Sequence, residues 1–283
     1  MPNWAAFVGL TGVVVSLLVL LARLSQRLLE AEPAGSDPTV RLQPTGLDPG
    51  VAGSRWVRVR PFGQSTAEPI EASPDTPSSI PTLALLANVV RTQGLFGGVL
   101  VAGAWMFAVP LSAFGIGGEL LGISVPTIAL GIGLGVGLWV GSELAVALVD
   151  RVGIGYDQGL RTMLTPTTRG EWALLFAVVL PLVAASEEFV FRAAAIGVPA
   201  AGLDASPWAL AIVSSLAFGV AHGAQGRAGV VVTGLLGFGL AGVYVGTGSL
   251  LVVIVAHYVL NATEFLVTAR GYEPLSALGI TRR

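Results

Sequence analysis

The chain has 283 residues, of which 53% are hydrophobic and only 11% are charged. Because soluble domains carry about 25% charged residues, this composition excludes an ordinary soluble enzyme. A net charge of -2 combined with so much apolar sequence also excludes a disordered chain. The composition therefore predicts a membrane protein with several transmembrane segments.

Few side chains offer reactive chemistry. The chain has no cysteine, which excludes disulfides, thiolate zinc sites and a thiol nucleophile. It has two histidines, His222 and His257, which are candidate general bases and imidazole ligands. All 15 basic residues are arginines, and we infer no nucleic-acid partner from them. Both histidines lie within apolar runs, where an ionisable group needs a partner or a task.

Apolar segments follow one another along the chain, and most have the roughly 20 residues that a helix needs to cross a bilayer. The first, at residues 4–22, has its arginines after the apolar run. A cleaved signal peptide has its basic residues before the run, so this order predicts a retained membrane anchor. The polar region after it is rich in Pro, Gly, Ser and Asp, and the alternation at 55–60 predicts a small strand or an interfacial segment. The later segments lie at 83–92, which is short, and at 94–116, 125–148, 171–197, 207–224, 228–246 and 249–268.

Arginines occur in alternate connections, which predicts seven spans with the N-terminus outside and the C-terminus inside. The short segment at 80–90 leaves open an interfacial helix or part of an eighth span. The predicted fold class is therefore all-α, a polytopic transmembrane helix bundle of about seven to eight spans.

Glycines recur at helical spacing in several of these segments. Gly133, Gly137 and Gly141 are four residues apart, which favours close helix crossing. Residues 237–242 spell G-x-G-x-x-G, but an apolar run without a strand-to-helix transition does not indicate a dinucleotide site. We interpret both groups as packing.

A cluster of ionisable residues lies late in the segment at 171–197. Glu188 and Arg192 are four residues apart, in the order that favours a helical ion pair. Glu187 is rotated by about 100° around the helix and is free to face another partner. A structural ion pair with a spare acid is the simple alternative, but ionisable groups at bilayer depth cost about 2.5–3.5 kcal/mol each and more often have a task.

Two further segments carry polar residues at one-turn spacing. Phe218 and His222 lie on one, and His257 and Asn261 lie on the last. If the three helices converge, a glutamate paired with a histidine can deprotonate water for attack on a carbonyl and return the proton to the leaving amine. His257 and Asn261 can donate hydrogen bonds to the developing oxyanion. These groups are sufficient for peptide-bond hydrolysis.

The ordered motifs Glu-Glu-x-x-x-Arg, Phe-x-x-x-His and His-x-x-x-Asn resemble those of the CPBP family, which includes CAAX-prenyl endopeptidases and abortive-infection membrane proteins. The resemblance covers about residues 170–268. It implies an all-helical intramembrane protease in which Glu187 activates water with His222 as its partner. It also implies that His257 and Asn261 form an oxyanion hole. Glu188, Arg192 and Phe218 would support the site.

Metal dependence is the open point at the sequence level. Glu187, His222 and His257 equal the ligand count of some catalytic zinc sites, but the helical His-Glu-x-x-His signature is absent. A glutamate and water mechanism uses every residue of the set without a metal. We therefore favour no cofactor, with zinc as the alternative.

The predicted function is hydrolysis of a peptide bond in a membrane-associated protein or peptide at the plasma membrane of a prokaryote, and whether that substrate is prenylated and CAAX-like stays open. Two alternatives are a non-proteolytic binding or chaperone protein of the same fold, and a proton-coupled transporter. Glu143 and Glu264 are interpreted either as partners of the site or as residues at headgroup level.

The predicted organisation has five parts. They are an N-terminal transmembrane anchor at 1–27, a polar cytoplasmic loop at 28–81, transmembrane helices preceding the core at 82–168, a CPBP-like catalytic transmembrane core at 169–270, and a cytoplasmic tail at 271–283.

Overall fold

The computed structural model describes residues 1–30, 41–44, 56–59, 82–117, 123–151, 153 and 164–270. Within these ranges six helices are long and apolar enough to cross a membrane, and a shorter apolar helix accompanies them. The protein is therefore a multi-pass membrane protein whose candidate spans are all helical, as the hydropathy pattern predicts. The proposed tail at 271–283 and most of the polar loop at 28–81 lie outside the described residues.

Helices are numbered α1 to α7 in chain order. The first three are α1 (Trp4–Glu30), α2 (Thr82–Met106) and α3 (Val125–Arg151), with a 3-10 turn at Leu111–Phe114 after α2. The long helix α4 spans Arg169–Leu203. The last three are α5 (Pro207–Ala221), α6 (Gly226–Thr247) and α7 (Leu250–Ala269), with a 3-10 turn at Gly223–Gln225 after α5.

The segment Arg27–Ile80 forms a compact unit of its own. Its described strands, β1 (Arg41–Pro44) and β2 (Trp56–Val59), pair antiparallel with Arg41 opposite Val59. Residues 56–59 of the alternating pattern thus form a strand, one of the two alternatives that the pattern predicts.

Helix α2 differs from the sequence interpretation. The predicted break between segments 83–92 and 94–116 is absent. One continuous helix, Thr82–Met106, contains the first segment and the first part of the second. It ends ten residues before position 116, where Ala108 has a positive φ of 53° and Pro110 begins the 3-10 turn. Proline lacks the amide hydrogen that would continue an α-helix. The short segment is therefore the first part of α2 and not an eighth span.

The close packing of α3 against α7 uses different glycines from those predicted. A methyl group at Gly135 would lie 2.6 Å from the carbonyl oxygen of Ala256, whereas nothing lies within 4 Å of such a group at Gly133, Gly137 or Gly141. The prediction was wrong because the segment contains two interleaved glycine series on opposite faces. The shorter one, which contains Gly131 and Gly135, faces α7.

Helix α4 begins at a capping box and is twice interrupted by π-helical turns. Thr168 accepts a hydrogen bond from the backbone N–H of Glu171, and the Glu171 carboxylate accepts one in return from the N–H of Thr168. The π stretches are Leu175–Val179 and Phe189–Gly197.

Prolines explain where α4 widens. A proline ring clashes with the carbonyl four residues earlier and offers no N–H to it. Counting back four residues from Pro181 and Pro199 gives Ala177 and Ala195, one in each π stretch. The helix avoids the clash by widening there, and the second π stretch starts directly after Glu188. π-Turns of this kind are frequent at functional sites.

Candidate active site

The Glu187 carboxylate lies at the centre of the polar cluster, and its two oxygens have different surroundings. Oε1 accepts a hydrogen bond of 2.8 Å from the Gln93 side-chain amide of α2. Oε2 lies 3.9 Å from Nε2 of His222 and 3.8 Å from Nε2 of His257. These two separations are too long for direct hydrogen bonds and are spans that a bridging molecule can fill.

His222 immediately follows α5, at the point where the helix gives way to a 3-10 turn. Its Nδ1 lies 2.8 Å from the carbonyl oxygen of Phe218. Because a carbonyl oxygen only accepts, Nδ1 carries the proton in this bond. In the neutral ring, Nε2 is then an acceptor that faces Glu187 Oε2.

His257, in the middle of α7, is held differently. Its Nδ1 donates to Oε1 of Glu188 over 2.6 Å, and the residue is only 4% exposed. A carboxylate this close to the ring stabilises positive charge on it. The two histidines therefore differ, since His222 is held by a neutral carbonyl and His257 by an acid.

Glu188 and Arg192 form a fully buried ion pair below these groups, each 0% exposed. Nη1 of Arg192 donates to Glu188 Oε1 over 3.1 Å, and Nη2 donates to the carbonyl oxygen of Gly237 over 2.9 Å. The guanidinium carbon also lies 4.6 Å from the centre of the Phe218 ring, a cation–π contact. The predicted helical ion pair is thus present and links α4 to α6.

Phe218 connects the ion pair to the imidazoles. Its ring centre lies 4.4 Å from that of His222 and 6.2 Å from that of His257. Gly237 makes room for it, because a methyl group at that position would lie 3.0 Å from the Phe218 ring. The glycine of the G-x-G-x-x-G sequence therefore serves packing beside the site, as its apolar context indicates.

A cavity of about 310 Å³ adjoins these groups. Ligand sites typically have volumes of about 300–1,000 Å³, so it is large enough for part of a peptide or lipid chain. Most of its lining residues are apolar. The polar groups that line it include Glu187, His222, His257 and Asn261, together with Gln93, Ser142, Glu143, Gln225, Thr233 and Glu264.

All the site residues chosen from sequence lie at or beside this cavity. Glu187, His222, His257, Asn261 and Phe218 line it, while the Glu188 and Arg192 pair is buried behind the first three. Glu143 and Glu264 also line it, and Glu143 is 4% exposed. Both acids are therefore beside the site.

Gln93 is the contact that sequence reasoning missed. It lies at the junction of segments 83–92 and 94–116, which looked like a helix boundary because Arg91, Thr92 and Gln93 are polar. Read as one helix, the same residues place Gln93 one turn before Gly97, on a face that α4 covers. A polar residue four positions before a glycine, as in Gln93 and Gly97, is the sequence signal that could have indicated this contact.

Metal coordination receives no geometric support from these residues. Within the described part of the chain, no group of three or more His, Asp or Glu side chains has an arrangement suited to a metal ion. The alternative zinc set of Glu187, His222 and His257 does converge on one carboxylate oxygen, with nitrogen distances of 3.9 and 3.8 Å.

Residues 169–263 match the family model described as type II CAAX prenyl endopeptidase Rce1-like. The chain carries an Rce1-like domain. The resemblance seen in the three motifs is thereby confirmed, over about a third of the chain. Searches of curated proteins and of solved structures gave no significant match.

The Rce1-like domain contains Glu187, Glu188, His222, His257 and Asn261, and it does not include Gln93. The family that this segment matches is one of CAAX-type prenyl endopeptidases. The buried Glu187, Glu188 and His257, together with the partly exposed His222, are consistent with a glutamate and histidine site in that domain.

Proposed function

We propose that this protein is an intramembrane endopeptidase of the plasma membrane of a prokaryote. It hydrolyses a peptide bond of a membrane-associated, CAAX-like prenylated substrate with water activated by Glu187 and His222. The observation that carries the proposal is the position of Glu187 Oε2, which faces two imidazole nitrogens beside a cavity in an Rce1-like domain.

The gap between Glu187 and His222 suits a water nucleophile. Two hydrogen-bond acceptors facing each other across 3.9 Å attract a molecule with two O–H donors. A water held in this way directs its oxygen lone pairs away from both residues and towards a bound carbonyl carbon. Glu187 then accepts the proton as the C–O bond forms.

The oxyanion that forms in this step requires donors, and we assign that role to His257 and Asn261, which both line the cavity. His257 has a donor at Nε2 only as an imidazolium, since Nδ1–H is already directed at Glu188. The proposed role therefore requires the imidazolium form of His257, whose Nδ1–H is paired with the Glu188 carboxylate 2.6 Å away.

Collapse of the tetrahedral intermediate completes the reaction. The C–N bond breaks, and the proton taken up by Glu187 passes to the leaving amine, directly or through His222. The balance is one water consumed and one carboxylic acid and one amine released. Every step uses groups of this chain.

The proposed activity is tested with purified protein in proteoliposomes and internally quenched peptides that carry a prenylated cysteine near the C-terminus, with non-prenylated peptides as the comparison. We expect cleavage of the prenylated peptides. An absence of cleavage across the series, from protein that elutes as a folded species, would contradict the proposal. Proteomics of peptide termini in cells with wild type or Glu187→Ala then identifies substrates as termini that disappear.

Asn261→Ala is expected to lower kcat by about 10²–10³-fold with little change in KM, because the lost donor acts on charge that develops only in the transition state. Steady-state kinetics on the quenched peptide measure the effect. Thr263→Ala, on the same helix but not among the cavity-lining residues, serves as the control and retains wild-type rates. An effect on KM alone would remove Asn261 from the oxyanion hole.

Activity is expected to persist after exhaustive dialysis against a zinc-selective chelator, because the proposed mechanism uses only carboxylate, imidazole and amide groups. Metal content is measured on the same sample by mass spectrometry. Loss of activity that zinc alone restores would replace the glutamate mechanism by a metal-dependent one at Glu187, His222 and His257.

A further inference from the structure

Gln93 reaches the site from α2, outside the Rce1-like domain. We propose that it is a positioning residue for hydrolysis, which fixes the Glu187 carboxylate so that Oε2 faces the reacting groups. The proposal rests on the proposed function, in which Glu187 is the proton acceptor. It extends the site to a helix that lies about 90 residues upstream of Glu187.

The orientation of the Gln93 amide follows from its two partners. The Ser186 hydroxyl donates to Gln93 Oε1 over 2.7 Å, and Gln93 Nε2 donates to Glu187 Oε1 over 2.8 Å. The flipped amide would turn its oxygen towards the carboxylate, so that two acceptors face each other. The Glu187 carboxylate therefore decides the orientation of the amide, with an N–H directed at Oε1, and the Ser186 hydroxyl, which also lies 3.2 Å from the Val183 carbonyl oxygen, fits this orientation as a donor to Gln93 Oε1.

This contact distinguishes the two oxygens of Glu187. A terminal carboxylate torsion is broad and close to two-fold, so an untethered carboxylate samples many orientations. With Oε1 engaged by Gln93, Oε2 is the oxygen left to face His222 and His257. Gln93 itself has no contact with either imidazole among the described hydrogen bonds, and it acts through Glu187.

The backbone of α2 comes close enough for this contact because of Gly97, one turn after Gln93. A methyl group at Gly97 would lie 3.3 Å from Cβ of Ser186. The neighbouring glycines Gly94 and Gly98 have nothing within 4 Å of the equivalent position. Gly97 thus sets the spacing of α2 and α4, and the other two provide matched controls.

The test compares variants of the full chain in the quenched-peptide assay. Gln93→Met keeps the side-chain length but removes the amide oxygen and the amide nitrogen. We expect kcat to fall about 10- to 100-fold with KM unchanged within about threefold. Gln93→Glu should be slower still at neutral pH, since it places a second carboxylate against Glu187. Gly97→Leu should resemble Gln93→Met, whereas Gly94→Leu keeps wild-type rates.

Two results would overturn the proposal. Wild-type kcat in Gln93→Met, measured beside an inactive Glu187→Gln, removes Gln93 from the mechanism and leaves proteolysis intact. If the wild type cleaves no peptide, the proposed function fails. The hydrogen bond between Gln93 and Glu187 is then tested separately, by thermal unfolding in detergent. In the double variant, the decrease in Tm should be smaller than the sum of the decreases in Gln93→Met and Glu187→Leu, because the two substitutions remove the same hydrogen bond. Additive losses contradict the coupling.

Discussion

Glu187→Gln is expected to lower the rate of peptide hydrolysis by about 10²–10⁴-fold, the contribution typical of a general base. The substitution preserves the volume of the side chain and an oxygen that can still accept from Gln93. It removes the ionised Oε2 that faces His222 and His257. The loss is therefore chemical and not a consequence of misfolding.

The measurement is kcat/KM on a quenched prenylated peptide, together with gel filtration and thermal unfolding of the same preparation. Glu171→Gln is the matched control, since glutamine also completes a capping box and Glu171 lies at the start of α4 away from the cavity. Unchanged turnover in Glu187→Gln would refute the proteolytic mechanism.

Arg192→Met is expected to lower the free energy of unfolding by about 3–5 kcal/mol, which is the cost of leaving a buried charge without its partner. Glu188 is 0% exposed and would lose its arginine. The carbonyl oxygen of Gly237 would also lose a donor, and Phe218 would lose its cation–π contact. These losses weaken the connection between α4 and α6.

Equilibrium denaturation in detergent measures this effect, and Arg227→Met on the exposed side of α6 is the matched control. In the double variant Glu188→Gln with Arg192→Met the stranded charge is gone, so we expect part of the stability to return. A double variant less stable than Arg192→Met alone would show that Glu188 is not the group that Arg192 neutralises.

The positions of the membrane helices were predictable because a bilayer demands long apolar runs whatever the tertiary structure. The site residues were predictable for the related reason that Glu187, Glu188 and His257 are ionisable groups in such runs. Their pairing was only partly predictable. The i, i+4 contact of Glu188 with Arg192 is local, whereas the contact of Glu188 with His257 depends on how α4 packs against α7.

Helix packing also explains what sequence reasoning missed. Gln93 looked like a helix boundary because polarity alone does not distinguish a chain leaving the membrane from a side chain facing an internal cavity. Gly135 and Gly137 are equally suited to close approach, and only the partner helix decides which one is used. The π stretches of α4 follow from Pro181 and Pro199, but a proline permits a kink or a π-turn alike.

The unequal exposure of the two imidazoles bears on how water would reach the site between turnovers of the proposed reaction. In the proposed mechanism each hydrolysis consumes the water at Glu187, and another water must then enter the site from bulk solvent. The His257 side is sealed, with 6% of its side chain exposed and the pair of Glu188 and Arg192 closed behind it. The His222 side chain is 26% exposed at the end of a helix, so among the described residues of the site the His222 side is the more accessible one.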